Sequence, residues 1–161
     1  MRHAIAEERV GFAGTDAERA LTEEGARRFR RAARALAAQV PDLALVVSSP
    51  YRRAVETAAL LRAAFERAPA SAELAALAPD GEFAAVLAFL RAQRRVATLA
   101  LVGHEPSLSR LEGHLLTDGG GPLAHLKKGG AALVELAGVV AAGRGTLLWH
   151  LTAAQLRGLA P

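Results

Sequence analysis

The sequence predicts an α/β domain, a three-layer α/β/α sandwich around a mainly parallel central sheet. Three observations carry this expectation. Helix-patterned stretches alternate with short aliphatic and β-branched runs along the chain, the order that a helix-covered parallel sheet produces. The two interior apolar runs, 43–47 and 97–102, each end in turn residues and are each followed by a helix start, as crossover connections require. Finally, 161 residues with 52% hydrophobic content suffice for one well-cored domain and are too few for two, so residues 1–161 are read as a single unit.

The elements follow in order. Residues 6–21, with Gly11, Gly14 and Asp16, lack a sustained period and read as a loop. Thr22 is an N-cap, and Glu23 and Glu24 suit the positive end of a helix dipole, so a helix runs to about Gln39. Its apolar face holds Phe29, Ala33, Leu36 and Val40, which leaves Arg27, Arg28, Arg30, Arg31 and Arg34 on a solvated face. Pro41 and Asp42 break that helix before a buried strand over Leu43 to Val47, ended by Ser48, Ser49 and Pro50. A helix from Tyr51 to about Phe65 places Arg53 in its first turn, at the carboxyl end of the strand, where α/β sheets bind ligands. The pattern repeats with a helix from Glu82 to Gln93, a strand from Ala97 to Val102, the turn Gly103-His104-Glu105-Pro106 and a helix reaching about Leu116. Thr117 to Pro122, with three successive glycines, is a flexible connection. Ala131 to Leu136 and Thr146 to Leu151 read as an antiparallel pair, and Thr152 caps a last helix over 153–159.

Composition narrows the chemistry. Without cysteine, disulfides, thiolate zinc sites and a cysteine nucleophile are excluded. No stretch reaches the roughly 20 apolar residues that span a bilayer, and no signal-like opening is present, so a cytoplasmic protein with no membrane partner is expected. The net charge of +4 rests almost wholly on arginine, Lys127 and Lys128 being the only lysines. No aromatic interleaving or groove-reading motif accompanies it, so nucleic acid is not the expected partner. Lys127 and Lys128 read equally as a solvated pair or as steering charges for an acidic partner.

Four residues stand apart. Arg2 and His3 in MRHAIAE, Arg53 in SSPYRRA and His104 in LVGHEPSLS all fall at turn positions that a fold can bring together. Neutral imidazole is a nucleophile and proton carrier near neutral pH, and guanidinium is a permanent cation whose fork matches phosphate oxygens. The quartet suggests phosphoryl transfer through a histidine.

At these residues the chain resembles the histidine phosphatase superfamily, and within it the small SixA-type phosphohistidine phosphatases. The likeness runs through Arg2-His3-Ala4 with Glu7, Asp16 to Arg19, Leu21-Thr22 and Gly25, Ser48-Ser49-Pro50 with Arg53-Ala54 and Thr57-Ala58, Val102 to Pro106, Lys128-Gly129 and Leu148-Trp149. The resemblance implies a phosphoglycerate-mutase-like fold without a large helical lid, His3 as nucleophile, and Arg2, Arg53 and His104 as the pocket for the phosphoryl group. Arg52 is expected at the surface. A phosphohistidine on a signalling or phosphotransfer protein is the implied substrate, since the short stretch between Thr57 and Gly103 leaves no room for a lid and an open pocket admits a protein-borne side chain. The alternatives are a broad small-molecule phosphomonoesterase and an inactive phosphate-binding module. Glu105 is the first candidate proton donor, with Glu7, Asp80 and Glu82 behind it, and the competing reading makes Glu105 a helix-start carboxylate. No metal and no cofactor are expected, and a monomer is. His114, His125 and His150 read as structural, Asp16 and Arg19 as a pair ordering the loop near the site, and Ser48 and Ser49 as strand-end hydrogen bonders. Members of the superfamily carry an apolar strand ahead of the Arg-His pair where only Met1 stands here. A start recorded too late is the preferred explanation, with added vector-derived residues supplying the strand or an altered pairing of Ile5 and its neighbours as the alternatives, and a His3 without that support is expected to fray.

Overall fold

In the computed structural model, which describes residues 1–118 and 121–160, Thr22 opens the first helix as its sequence predicts. Its side chain accepts from the Gly25 N–H, and helix α1 runs Glu23–Gln39. Of the glycine-rich connection expected between Thr117 and Pro122, Gly119 and Gly120 lie outside the described residues. The first strand is displaced from its expected span, β1 covering Leu45–Ser48. The hydrogen bond from Leu43 N–H to the Val40 carbonyl holds Leu43 in the turn before it, while pairing carries the strand on through Ser48. Helix α2 follows at Arg52–Arg62, helix α3 at Phe83–Ala92, strand β3 at Leu99–Val102 and helix α4 at Ser107–Leu116. A hairpin of β4 (Ala131–Leu136) and β5 (Gly145–Leu151) and helix α5 (Ala153–Gly158) complete the chain.

One strand was not expected. β2, Ala70–Glu73, pairs in parallel with β1 at the edge of the sheet. Its residues are all exposed, so it is held by backbone pairing rather than by side-chain burial, and alternation of apolar residues cannot reveal such a strand. The short 3-10 turns at Asp16–Glu18 and Ala75–Leu77 also lie where no regular element was expected.

The parallel sheet has the order β2-β1-β3, and the hairpin β4-β5 is antiparallel. Successive residues of the strands enter opposite layers. Val46 and Val102 join Phe29, Ala33 and Leu36 of α1, Ala54 and Leu61 of α2 and Leu156 of α5 in one core. Val47 and Leu101 join Val86, Leu87 and Leu90 of α3 with Leu111 and Leu115 of α4 in the other. This is the expected three-layer sandwich.

Met1 to His3 link the two sheets. On one side the Met1 amino group donates to the Leu101 carbonyl at 2.7 Å, Gly103 N–H donates to Met1 and His3 N–H donates to Gly103. On the other, Arg2 N–H donates to Gly130 and Gly129 N–H to His3. Gly129 takes a left-handed φ of 74° to present that N–H, a conformation that suits glycine. The segment is thus bonded along both edges, and the fraying expected of His3 is replaced by a short bridge between sheets. Beyond it, between β3 and β4, lies an apolar cleft of about 900 Å³ lined by Leu99, Leu101, Val134 and Leu136 among others.

Candidate active site

The four residues singled out by sequence converge on the carboxyl-end rim of the parallel sheet. β1 ends at Ser48 and delivers Arg53 through the first turn of α2, and β3 ends at Val102 and delivers His104. His3 arrives beside them because its backbone is paired to Gly103. The two imidazole rings lie 5.0 Å apart, and His3, Arg53 and His104 are all buried.

Hydrogen bonds assign the tautomers. His3 Nδ1 sits 2.7 Å from the Ala4 carbonyl, which only accepts, so Nδ1 carries the proton. Nε2 then holds the lone pair, and Arg53 Nε–H donates to it at 3.3 Å. His104 is the reverse case. A terminal nitrogen of Arg53 lies 3.4 Å from Nδ1 and can only donate, so His104 Nε2–H donates to Ser49 Oγ at 2.9 Å. Burial, and after it the charges of His104, Arg53 and Arg2, push His3 down to about 3, its bond to Ala4 opposing them. Burial, then Arg53, pushes His104 down to about 4. Both rings are neutral in the free site at physiological pH, so the cationic His104 considered from sequence requires an anion to draw the proton in.

Other groups hold these in place. Thr57 accepts from Ala4 N–H at 3.0 Å and donates to the Arg53 carbonyl at 2.6 Å, tying the His3 segment to α2. Its place one helical turn after Arg53 was the available signal. Tyr51 packs edge-on to His104 with centroids 5.2 Å apart, and the Arg53 guanidinium lies 4.9 Å from its ring. Gly25 is needed where α1 passes the Ile5 carbonyl, since a Cβ there would overlap that oxygen. Ser49 is the hydrogen bonder expected of it.

Arg2 donates to the Leu126 carbonyl at 3.1 Å, and its buried Nε has no protein partner. Asp16 pairs with Arg19 as expected and also with Arg53, Oδ2 lying 2.8 Å from it. Glu105 accepts from Leu126 N–H at 3.3 Å, and its other oxygen faces His125 at 3.9 Å. Glu7 is occupied by Ala20 N–H at 2.8 Å. A cavity of about 220 Å³ beside His104 is lined by Leu77, Phe83, Val86, Ser107 and Arg110 among others; Gly81 reaches it, but its neighbours Asp80 and Glu82 do not. His150 is paired at 2.8 Å with the buried Glu112, and His114 stacks edge-on to Phe83. Arg52 is exposed and bonds Glu56. Among the described residues no group of three or more potential ligands could hold a metal ion, and no helix is long and apolar enough to cross a membrane.

Comparison with known proteins gives a consistent picture. A family model described as histidine phosphatase superfamily (branch 1) matches residues 1–76. An uncharacterized protein of Picosynechococcus is 35% identical over 131 residues, covering 80% of this chain and 78% of its own. The structure of the protein histidine phosphatase SixA complexed with tungstate superposes with a TM-score of 0.83 at 28% identity, over 97% of this chain and 96% of that one. A mycobacterial glucosyl-3-phosphoglycerate phosphatase, solved with inorganic phosphate, shares the fold with a TM-score of 0.69 at 16% identity, over 94% and 95% of the two chains.

Proposed function

The chain belongs to the histidine phosphatase superfamily, and on that premise we propose that it hydrolyses phosphohistidine on a partner protein through a covalent phosphoryl group on His3. A phosphatase hydrolase is the activity that membership supports. The observation that carries attack by His3 is the state of its ring, a neutral imidazole with its Nε2 lone pair turned toward the Arg53 guanidinium.

Nε2 attacks phosphorus in line, forming one N–P bond as the substrate's N–P bond breaks. Water then attacks the same phosphorus, breaks the bond to His3 and releases inorganic phosphate. Arg2 and Arg53 offset the negative charge that spreads over the equatorial oxygens, and the free Nε of Arg2 is a donor available to them. His104, neutral in the free site, gains its proton when the anion arrives and adds a further donor. No step calls on a metal or cofactor.

The likeness to the protein histidine phosphatase SixA and the chemistry of the leaving group support the substrate class. An alkoxide needs a general acid to depart, whereas a phosphohistidine protonated on its other ring nitrogen, a site that titrates near 6.5 in free imidazole, releases neutral imidazole without one. Glu105 accepts from Leu126 N–H through one oxygen while its other oxygen is buried without a hydrogen-bond partner among the described residues, and in this reading it shapes the loop rather than supplying the proton. The protein works as a monomer, with residues 1–161 forming one catalytic domain. The test compares turnover of a phosphohistidine-bearing protein, an aryl phosphate and an alkyl phosphate, together with an acid-labile phosphoryl label. Preference for the phosphohistidine protein and loss of label in His3→Ala are expected. Higher efficiency on the aryl phosphate would favour a broad phosphomonoesterase, and no label with any donor would leave only a phosphate-binding module.

A further inference from the structure

Arg53 is gripped by one edge and used by another. Its Nε and one terminal nitrogen face His3 Nε2 at 3.3 Å and His104 Nδ1 at 3.4 Å. Its terminal nitrogens also donate to Asp16, one to the backbone carbonyl at 2.6 Å and one to Oδ2 at 2.8 Å. The remaining oxygen of Asp16, Oδ1, takes Nε of Arg19 at 2.8 Å, and Arg19 is anchored in turn to the Glu7 carbonyl. Burial raises the Asp16 pKa, but hydrogen bonds from Arg53 and Arg19 outweigh it and hold the carboxyl below the usual range.

We propose that Asp16 is a positioning residue that acts through Arg53, turning the guanidinium so that its side-on fork faces the space between the two imidazoles. The inference rests on reading Arg53 as a ligand of the transferring phosphoryl group. The end of the guanidinium is fixed by two acceptors of one residue, and a planar fork held at one edge has no freedom left at the other. Asp16 satisfies two arginines because both its oxygens accept. Asparagine offers one oxygen and one NH2, so it can accept from only one of them and sets a donor against the other.

Asp16→Asn is therefore expected to lower kcat about 10- to 100-fold, the cost of a small misplacement of a catalytic group. The site also loses a negative charge, so inorganic phosphate, measured by calorimetry on the whole protein, should bind as tightly as to wild type or more tightly. A kcat within about threefold of wild type overturns the proposal. Joint loss of kcat, phosphate affinity and melting temperature also overturns it, since a loop staple alone would give that result. Arg19→Ala, which leaves the charge of Asp16 in place but frees the carboxylate to rotate, should lose less kcat than Asp16→Asn. The reverse order counts against the proposal. His3→Ala, assayed in parallel, reports on the underlying phosphatase reading: if it still turns over, that reading fails, while the kcat of Asp16→Asn against wild type still decides whether Asp16 positions Arg53.

Discussion

The amino-terminal segment Met1 to His3 separates two regions built on opposite principles. Towards the rim, His3, Arg53, His104, Ser49, Thr57 and Asp16 form a closed set of hydrogen bonds in which each imidazole has a defined tautomer. Away from it, the edges of β3 and β4 are joined by no strand among the described residues, and apolar side chains line the cleft between them. The rim is ordered by polar contacts of defined direction, the cleft by apolar area. Met1 to His3 are bonded along both edges, Gly103 on one side and Gly129 and Gly130 on the other supplying the pairing. The rim should then be sensitive to single atoms, and the cleft to area.

The largest effect belongs to the rim. His3→Ala removes the proposed nucleophile, and turnover of a phosphohistidine protein should fall by about 10³-fold or more. Arg53→Lys keeps the charge but loses the fork; a loss of about 10²-fold in kcat/KM, with the melting temperature little changed, would separate geometry from charge. Next comes the cleft. Joining four apolar, strand-forming residues to Met1 should raise the melting temperature at about 2–4 °C per kcal/mol gained, while leaving kcat within about twofold. A large rise in kcat would show that the rim does depend on the strand.

The smallest effect is in the pH dependence. The unfolded chain's histidines titrate near 6.5, whereas His3 and His104 are held down to about 3 and about 4 in the fold. Between those values the unfolded state binds more protons than the folded one, so stability is full above about pH 6.5 and falls as the pH drops towards 4. His104→Ala should flatten that fall in a denaturation series. The acid limb of kcat/KM should likewise lie well below pH 6.5, and an acid limb at the ordinary imidazole value would contradict the neutral, buried pair.

Much of this was legible in the sequence, for physical reasons that differ by element. Thr22 and Thr152 announced helix starts because a cap is a local bond. Arg53 and His104 were readable because parallel strands bring successive carboxyl ends to one rim. β2 was hidden, since a fully exposed edge strand carries no hydrophobic period. The expectation that His3 would fray counted only the residues ahead of it and missed the pairing that Gly103, Gly129 and Gly130 supply from far along the chain. The bond from Asp16 to Arg53 was missed for a similar reason, as its nearer partner Arg19 accounted for it locally.

The central claim is that a neutral His3 attacks through Nε2. Its most direct test is rapid quenching of wild-type protein with a phosphodonor under alkaline conditions, followed by phosphorus NMR and mass spectrometry to locate the phosphoryl group. An acid-labile phosphoryl group on Nε2 of His3 is expected. A label on Nδ1 of His3, on His104 or on no histidine at all would contradict it.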